Sequence, residues 1–291
     1  MKKKLTLAGI FILSSAFAAL AQAKSFEVAN SEVRQGDVLA VRIAPQWQTP
    51  TVFNPAISVF GKYYLPNKYG EVFIGIELEL KPGKYIMTLV EYGRGVRLSW
   101  DYEEVEVLGR SFPEVKLNRS MGVVDMVRWH KDRTRVNRAY TLVNRYENYA
   151  DGRFVNPLDT VVVTDEFYLK RIFLDGIGVH RGTDLKAAVG TPVHAINSGV
   201  VILADRNFLL EGNMVIIDHG SGILSYYLHL SKINVRDGQV VKNGETIALS
   251  GGTGSARGPH LHLAVKVNGV NVDPLKFIDT MNQCLDNNGV K

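Results

Sequence analysis

From about residue 156 onward, short β-branched and apolar segments follow one another with tight turns between them and no helical stretch. Parallel strands need crossover connections of a dozen or more residues, usually helices, whereas antiparallel strands can be joined by short turns. The candidate strands are residues 200–204, 214–218, 223–230, 245–250 and 261–267. Gly190-Thr191-Pro192, Asp218-His219-Gly220, Asp237-Gly238 and Asn243-Gly244 punctuate them. The pattern speaks against a doubly wound parallel sheet and for a mostly β chain.

Residues 25–109 read the same way, with strands expected at 38–43, 57–60, 71–80, 85–91 and 103–108. Lys81-Pro82-Gly83-Lys84 is a strong turn between two of them. Such spacing suits a β-sandwich. No acidic, histidine or cysteine cluster marks a site there, so this part reads as a spacer or binding module. Between the two β regions, Val136, Ala139, Tyr140, Val143 and Tyr146 recur at helical spacing and predict one amphipathic helix over 133–148. The basic run from Arg128 to Arg133, which contains Trp129, reads as a solvated connector rather than a nucleic-acid contact.

The N-terminus has the form of an export signal. Lys2, Lys3 and Lys4 precede a mostly apolar run over residues 5–20, and Ala21-Gln22-Ala23 has the small-x-small form of a signal peptidase site. Cleavage before Lys24 leaves a periplasmic or secreted protein with no stable membrane insertion. An uncleaved anchor is the rival, since the run approaches the ~20 residues that span a bilayer. Of 34 basic residues, those three lysines leave with the signal, so 31 stand against 29 acidic ones, a net charge of +2. A charge that small gives no reason to expect a nucleic-acid partner. Cys284, the single cysteine, cannot form an intramolecular disulfide and falls in a polar tail. The expected organisation is a signal peptide over 1–23, a β-sandwich module over 24–110, a helical connector over 111–155, a second β domain over 156–280 and a polar tail over 281–291.

The chemistry lies in the second β domain. Gly251-Gly252-Thr253-Gly254-Ser255-Ala256-Arg257-Gly258 resembles a phosphate loop, but it leads into Pro259 and a strand rather than a helix N-terminus. The next stretch, His260-Leu261-His262-Leu263, alternates. On a strand, His260 and His262 share one face and the leucines take the other. The pair is either two metal ligands or one ligand with one catalytic partner. His180 and Asp184 flank a glycine turn, and imidazole nitrogen and carboxylate oxygen both suit zinc. His229 lies in a further strand-like segment.

Together these segments resemble the lysostaphin-type (LytM-like) zinc metalloendopeptidases. The likeness rests on His180-x-x-x-Asp184, His229 and Gly258-Pro259-His260-Leu261-His262, with Gly190-Thr191-Pro192-Val193 and the Asp237 to Gly244 segment in the same order. It covers about residues 165–275 and departs modestly at Lys186, Ala187 and Ala188. The resemblance implies an antiparallel β peptidase domain with a groove, one zinc ion per chain, and hydrolysis of peptide bonds in peptidoglycan. It implies His180, Asp184 and His262 as ligands and His229 and His260 as catalytic residues. It also likens the first module, more weakly, to immunoglobulin-like domains that precede such peptidases. The alternatives are a non-catalytic groove-binding regulator of other wall hydrolases and a peptidase acting on proteins. A biotinyl or lipoyl carrier has no use for the histidines, and Lys242 lacks the flanking motif it would need. His130, His194 and His219 stay outside the expected site, with His219 in a structural turn.

Overall fold

The structure, a computed structural model, describes residues 24–48, 54–122 and 124–287. The expected signal peptide therefore lies outside the described residues. No helix among those described is long and apolar enough to cross a membrane.

The first β region folds as two sheets around one core. Phe26–Val28, Val38–Ile43 and Glu71–Gly75 form a three-stranded sheet. Glu32–Arg34, Val96–Leu108, Gly83–Glu91, Pro55–Val59 and Lys62–Tyr64 form the other, in that order. Alternating apolar residues, among them Leu39, Val41, Ile57, Ile74, Leu89 and Val105, fill the space between. The strand expected over 71–80 stops at Gly75. A Cβ at Gly75 would lie 2.8 Å from the Val270 side chain, so the glycine lets this strand end press against the second domain.

The second domain is built on an eight-stranded antiparallel sheet. Its main path runs Val163–Asp165, Thr183–Lys186, His260–Val267, Ile223–Leu228, Gly212–Asp218, Gly199–Phe208 and Val240–Val241, with Val270–Val272 paired beside His260–Val267. A smaller sheet of Pro192–His194, Thr246–Leu249 and Lys232–Ile233 lies apart. Leu185, Val193, Val215, Tyr227, Ala248 and Leu261 belong to the core shared by the two sheets. Val38, Ala40 and Phe73 of the first module join that same core. Asn67 Nδ2 donates to Ser221 Oγ at 2.9 Å, and Arg110 pairs with Asp273 at 2.6 Å. The module is thus packed against the second domain rather than strung beside it.

Two helices depart from the sequence expectation. Helix α1, Met126–Tyr140, starts and ends about seven residues before the predicted span. Asp125 caps it by accepting from the Arg128 amide at 3.0 Å. Beyond Thr141 the chain turns, and the Asn144 side chain accepts from the Tyr146 and Glu147 amides at 3.0 Å each. That local alternative ends the helix, and Tyr146 is left exposed. Val136, Ala139, Tyr140 and Val143 do pack as one face, against Met214, Ile216 and Tyr226.

Helix α2, Pro274–Asn287, occupies most of the stretch expected to be a polar tail. Asp273 and Pro274 form a start signal: the Asp273 carbonyl accepts from Phe277 N at 2.8 Å. Phe277, Ile278, Met281 and Cys284 pack on the main core. Cys284 is therefore a half-buried helix residue, and burial pushes its thiol above the ordinary range.

Candidate metal centre

The strand His260–Val267 carries two functions on its two faces. Leu261, Leu263, Val265 and Val267 are fully buried in the main core. His260, His262, Ala264 and Lys266 line a groove of about 870 Å³ on the other side. Pairing with Thr183–Lys186 sets Asp184 opposite His262. Pairing with Ile223–Leu228 sets Leu228 opposite His262, which brings His229 beside it.

Three ligand-type atoms converge on the groove floor. His180 Nε2 lies 2.9 Å from Asp184 Oδ1 and 3.0 Å from His262 Nδ1. His262 Nδ1 lies 2.8 Å from Asp184 Oδ1. His180 donates its Nδ1 proton to the Glu166 carbonyl at 2.9 Å, so its Nε2 presents a lone pair. Burial alone would raise the Asp184 carboxyl, but its contacts with His180 and His262 outweigh burial and hold it far below the usual range. Burial pushes His262 down despite Asp184, which favours its neutral form. A carboxylate and two imidazoles with ligand atoms facing one point form a cage suited to a cation. Two nitrogens and one oxygen, all buried or nearly so, fit a metal ion of the zinc class.

The backbone keeps this cage open. A Cβ at Gly182 would stand 2.5 Å from His262 Nε2 and 2.4 Å from the Leu263 carbonyl. Only glycine lets the turn between His180 and Asp184 pass over the imidazole.

His229 and His260 flank the cage. Their rings lie 4.8 Å apart, and His229 is 6.0 Å from the His262 ring. His260 Nε2 is 3.6 Å from Asp184 Oδ1. His229 donates from Nδ1 to the Thr253 carbonyl at 2.9 Å, and His260 from Nδ1 to the Gly258 carbonyl at 2.8 Å. Both therefore turn Nε2 lone pairs toward the cage. Burial, only partly opposed by the Thr253 contact, pushes His229 down to about 4, so it is neutral at physiological pH. His229 is not within a strand as expected: Ile223–Leu228 ends one residue earlier, and His229 has φ 63°. That left-handed backbone is uncommon outside glycine and costs of order 1 kcal/mol or more. Here it swings the imidazole off the sheet and over the groove.

The glycine loop 251–258 thus has a definite part. It presents carbonyls to histidines, the reverse of the amide nest a phosphate needs. Sequence reading could not name Glu166, Thr253 and Gly258, because a main-chain acceptor leaves no signature in residue identity. It also missed the groove wall. Trp129 and Arg133 line the groove. Arg133 pairs with Glu211, Arg135 pairs with Asp205, and the Arg135 guanidinium lies 3.9 Å from the Phe208 ring centroid. The basic run is therefore docked on the sheet through Arg133, while Arg128, His130 and Lys131 stay exposed as expected. Its acidic partners lie some 70 or more positions away in the chain. His219 is fully buried, with Nδ1 2.8 Å from the Ser198 carbonyl and Nε2 2.8 Å from Ser225 Oγ. His130 and His194 stand outside the cluster, on Met126 and Thr246.

Residues 178–274 match the sequence profile of peptidase family M23. The peptidoglycan DD-endopeptidase ShyA of Vibrio cholerae is 46% identical over 100 residues, 34% of this chain and 23% of that protein. Lysostaphin of Staphylococcus simulans is 39% identical over 106 residues, 35% of this chain and 22% of that protein. The chain thus spans less than a quarter of the length of either relative. A crystal structure of a Pseudomonas aeruginosa protein assigned to peptidase M23 superposes with a TM-score of 0.57 at 28% identity, covering 77% of this chain and 87% of that one. That likeness reaches beyond the matched segment. The groove, the His-Asp-His cage and these relatives agree, and residues 178–274 of this chain belong to peptidase family M23.

Proposed function

We propose that the chain is an exported zinc endopeptidase that hydrolyses peptide bonds in peptidoglycan stem peptides or cross-links. The observation that carries the reading is the convergence of His180 Nε2, Asp184 Oδ1 and His262 Nδ1 within 3.0 Å of one another, with two neutral-capable imidazoles beside them. The relatives support the substrate class, and the composition of residues 1–23 supports export. His180, Asp184 and His262 would hold the ion. Bound zinc supplies Lewis acidity toward a carbonyl and lowers the pKa of water toward about 7.

The chain's own groups do the rest. His229 and His260, each tautomer-fixed by a carbonyl, hold accepting nitrogens at the groove floor, where one takes a proton from the attacking water. The other, once protonated, steadies the developing oxyanion or returns a proton to the leaving amine. Burial keeps His229 uncharged at neutral pH, which suits an acceptor. The proposed division places the β-sandwich over 24–110, the connector over 111–155 and the peptidase domain over 156–280. Purified, zinc-loaded protein incubated with peptidoglycan should release new muropeptides carrying a freed amine and carboxyl, seen by mass spectrometry. Cleavage of denatured protein with intact muropeptides would instead favour a protein substrate, and zinc binding without any cleavage a regulator.

A further inference from the structure

The groove does not stop at the histidines. It continues along the same face of His260–Val267 to Lys266, four residues beyond His262, and ends where helix α1 lies against the sheet. At that end three polar groups meet. Lys266 Nζ donates to Tyr140 Oη at 3.2 Å, and Tyr226 Oη donates to the same oxygen at 2.8 Å. The ammonium also lies 5.3 Å and 5.7 Å from the centroids of the Tyr140 and Tyr226 rings. Burial pushes the Tyr226 phenol well above its ordinary range, so it remains a donor.

The arrangement is unfinished as it stands. Lys266 is half-buried, yet no carboxylate among the described residues lies within ion-pair reach of it. Arg133, a further cation of the groove lining and also on α1, is taken by Glu211. Tyr140 Oη accepts twice and donates to no described residue, so its own proton is left for solvent or a ligand. A half-buried ammonium without a counter-charge is costly, and lysine is seldom enclosed without a partner. An ammonium and a free phenol proton side by side match the two oxygens of a carboxylate.

We infer that Lys266 and Tyr140 form a substrate subsite that takes a free carboxylate of the bound peptide. The inference rests on the peptidase reading above. Four residues of strand span about 13 Å, so an extended substrate would carry that carboxylate about three or four residues from the bond broken. Tyr140 comes from α1, outside the matched segment 178–274, so the connector helix would take part in choosing the substrate.

The test compares a cross-linked stem-peptide dimer bearing free carboxylates with the same dimer fully amidated. Binding of each is measured by calorimetry on the full, zinc-loaded chain carrying His229→Ala to halt turnover. The free acid should bind about 10- to 100-fold more tightly, the worth of a charge-assisted pair. Adding Lys266→Met should bring that ratio close to one, whereas Lys266→Arg should keep it. Equal affinities for acid and amide, or a preference that survives Lys266→Met, would overturn the subsite. Hydrolysis of either dimer by the unsubstituted chain tests the peptidase reading by itself, whatever the affinities show.

Discussion

His260 and His262 are neighbours on one strand face, but only His262 points a nitrogen at both His180 and Asp184. His262→Ala should therefore lose most bound zinc, read by elemental analysis, and activity with it. His260→Ala and His229→Ala should keep near-stoichiometric zinc while turnover falls by about 10²- to 10⁴-fold, the usual worth of a positioned acid or base. Zinc lost from His260→Ala but kept by His262→Ala would reverse the two roles. Gly182→Ala tests the cage from the backbone side. Its methyl group would collide with the His262 ring, so zinc stoichiometry should drop and stability fall by about 1–3 kcal/mol in urea unfolding. His219 is a different kind of residue, buried, neutral and remote from the cage. Burial pushes it down to about 4, against about 6.5 in an unfolded chain. Between those values the unfolded state binds the extra proton, so stability is intact above pH 6.5 and declines as pH falls toward 4. The full loss is about 3 kcal/mol. His219→Gln should be less stable at pH 7 yet lack this part of the acid slope. An unchanged slope would show that other groups set it.

The elements that sequence revealed best are short apolar runs bounded by turns. The strands around 200–204 and 214–218 stand where their continuous apolar runs put them, and in 261–267 the alternation also assigns the two faces. Alternation put His260 and His262 on one face, and the resemblance to the lysostaphin-type peptidases named His180, Asp184 and His229, which the fold brings to the same groove. Sequence reading failed where partners are distant or belong to the main chain. Nothing near Arg133 or Arg135 announces Glu211 or Asp205, and α2 hides in a stretch rich in Asp and Asn whose apolar side shows only at helical period. The start of α1 was missed because Met126 to His130 adds no regular apolar face, and the Asp125 cap alone marks it. That cap gives a prediction for the element. Asp125→Ala should cost about 1 kcal/mol and loosen the first turns of α1. Amide exchange should accelerate over residues 126–130 first, with the Val136 and Ala139 turns staying protected by the sheet.

At the scale of the molecule, the two β regions share side chains as well as a linker. Phe73 belongs to the first module by chain position and to the peptidase core by packing. Phe73→Ala should cost about 3–5 kcal/mol, and melting followed by probes in either half should shift together. A drop confined to the first module would mean that the halves unfold independently. The strand His260–Val267 has a consequence of another sort. Its odd-numbered positions are buried in the core and its even-numbered positions line the groove. A pairing error of one residue would turn imidazoles and a lysine into the oil and leave Leu261, Leu263, Val265 and Val267 in water. Such a chain would not persist as a folded but inactive molecule. It would fail to fold at all, so parity acts as a proofreader: any copy that survives quality control has its histidines facing the groove.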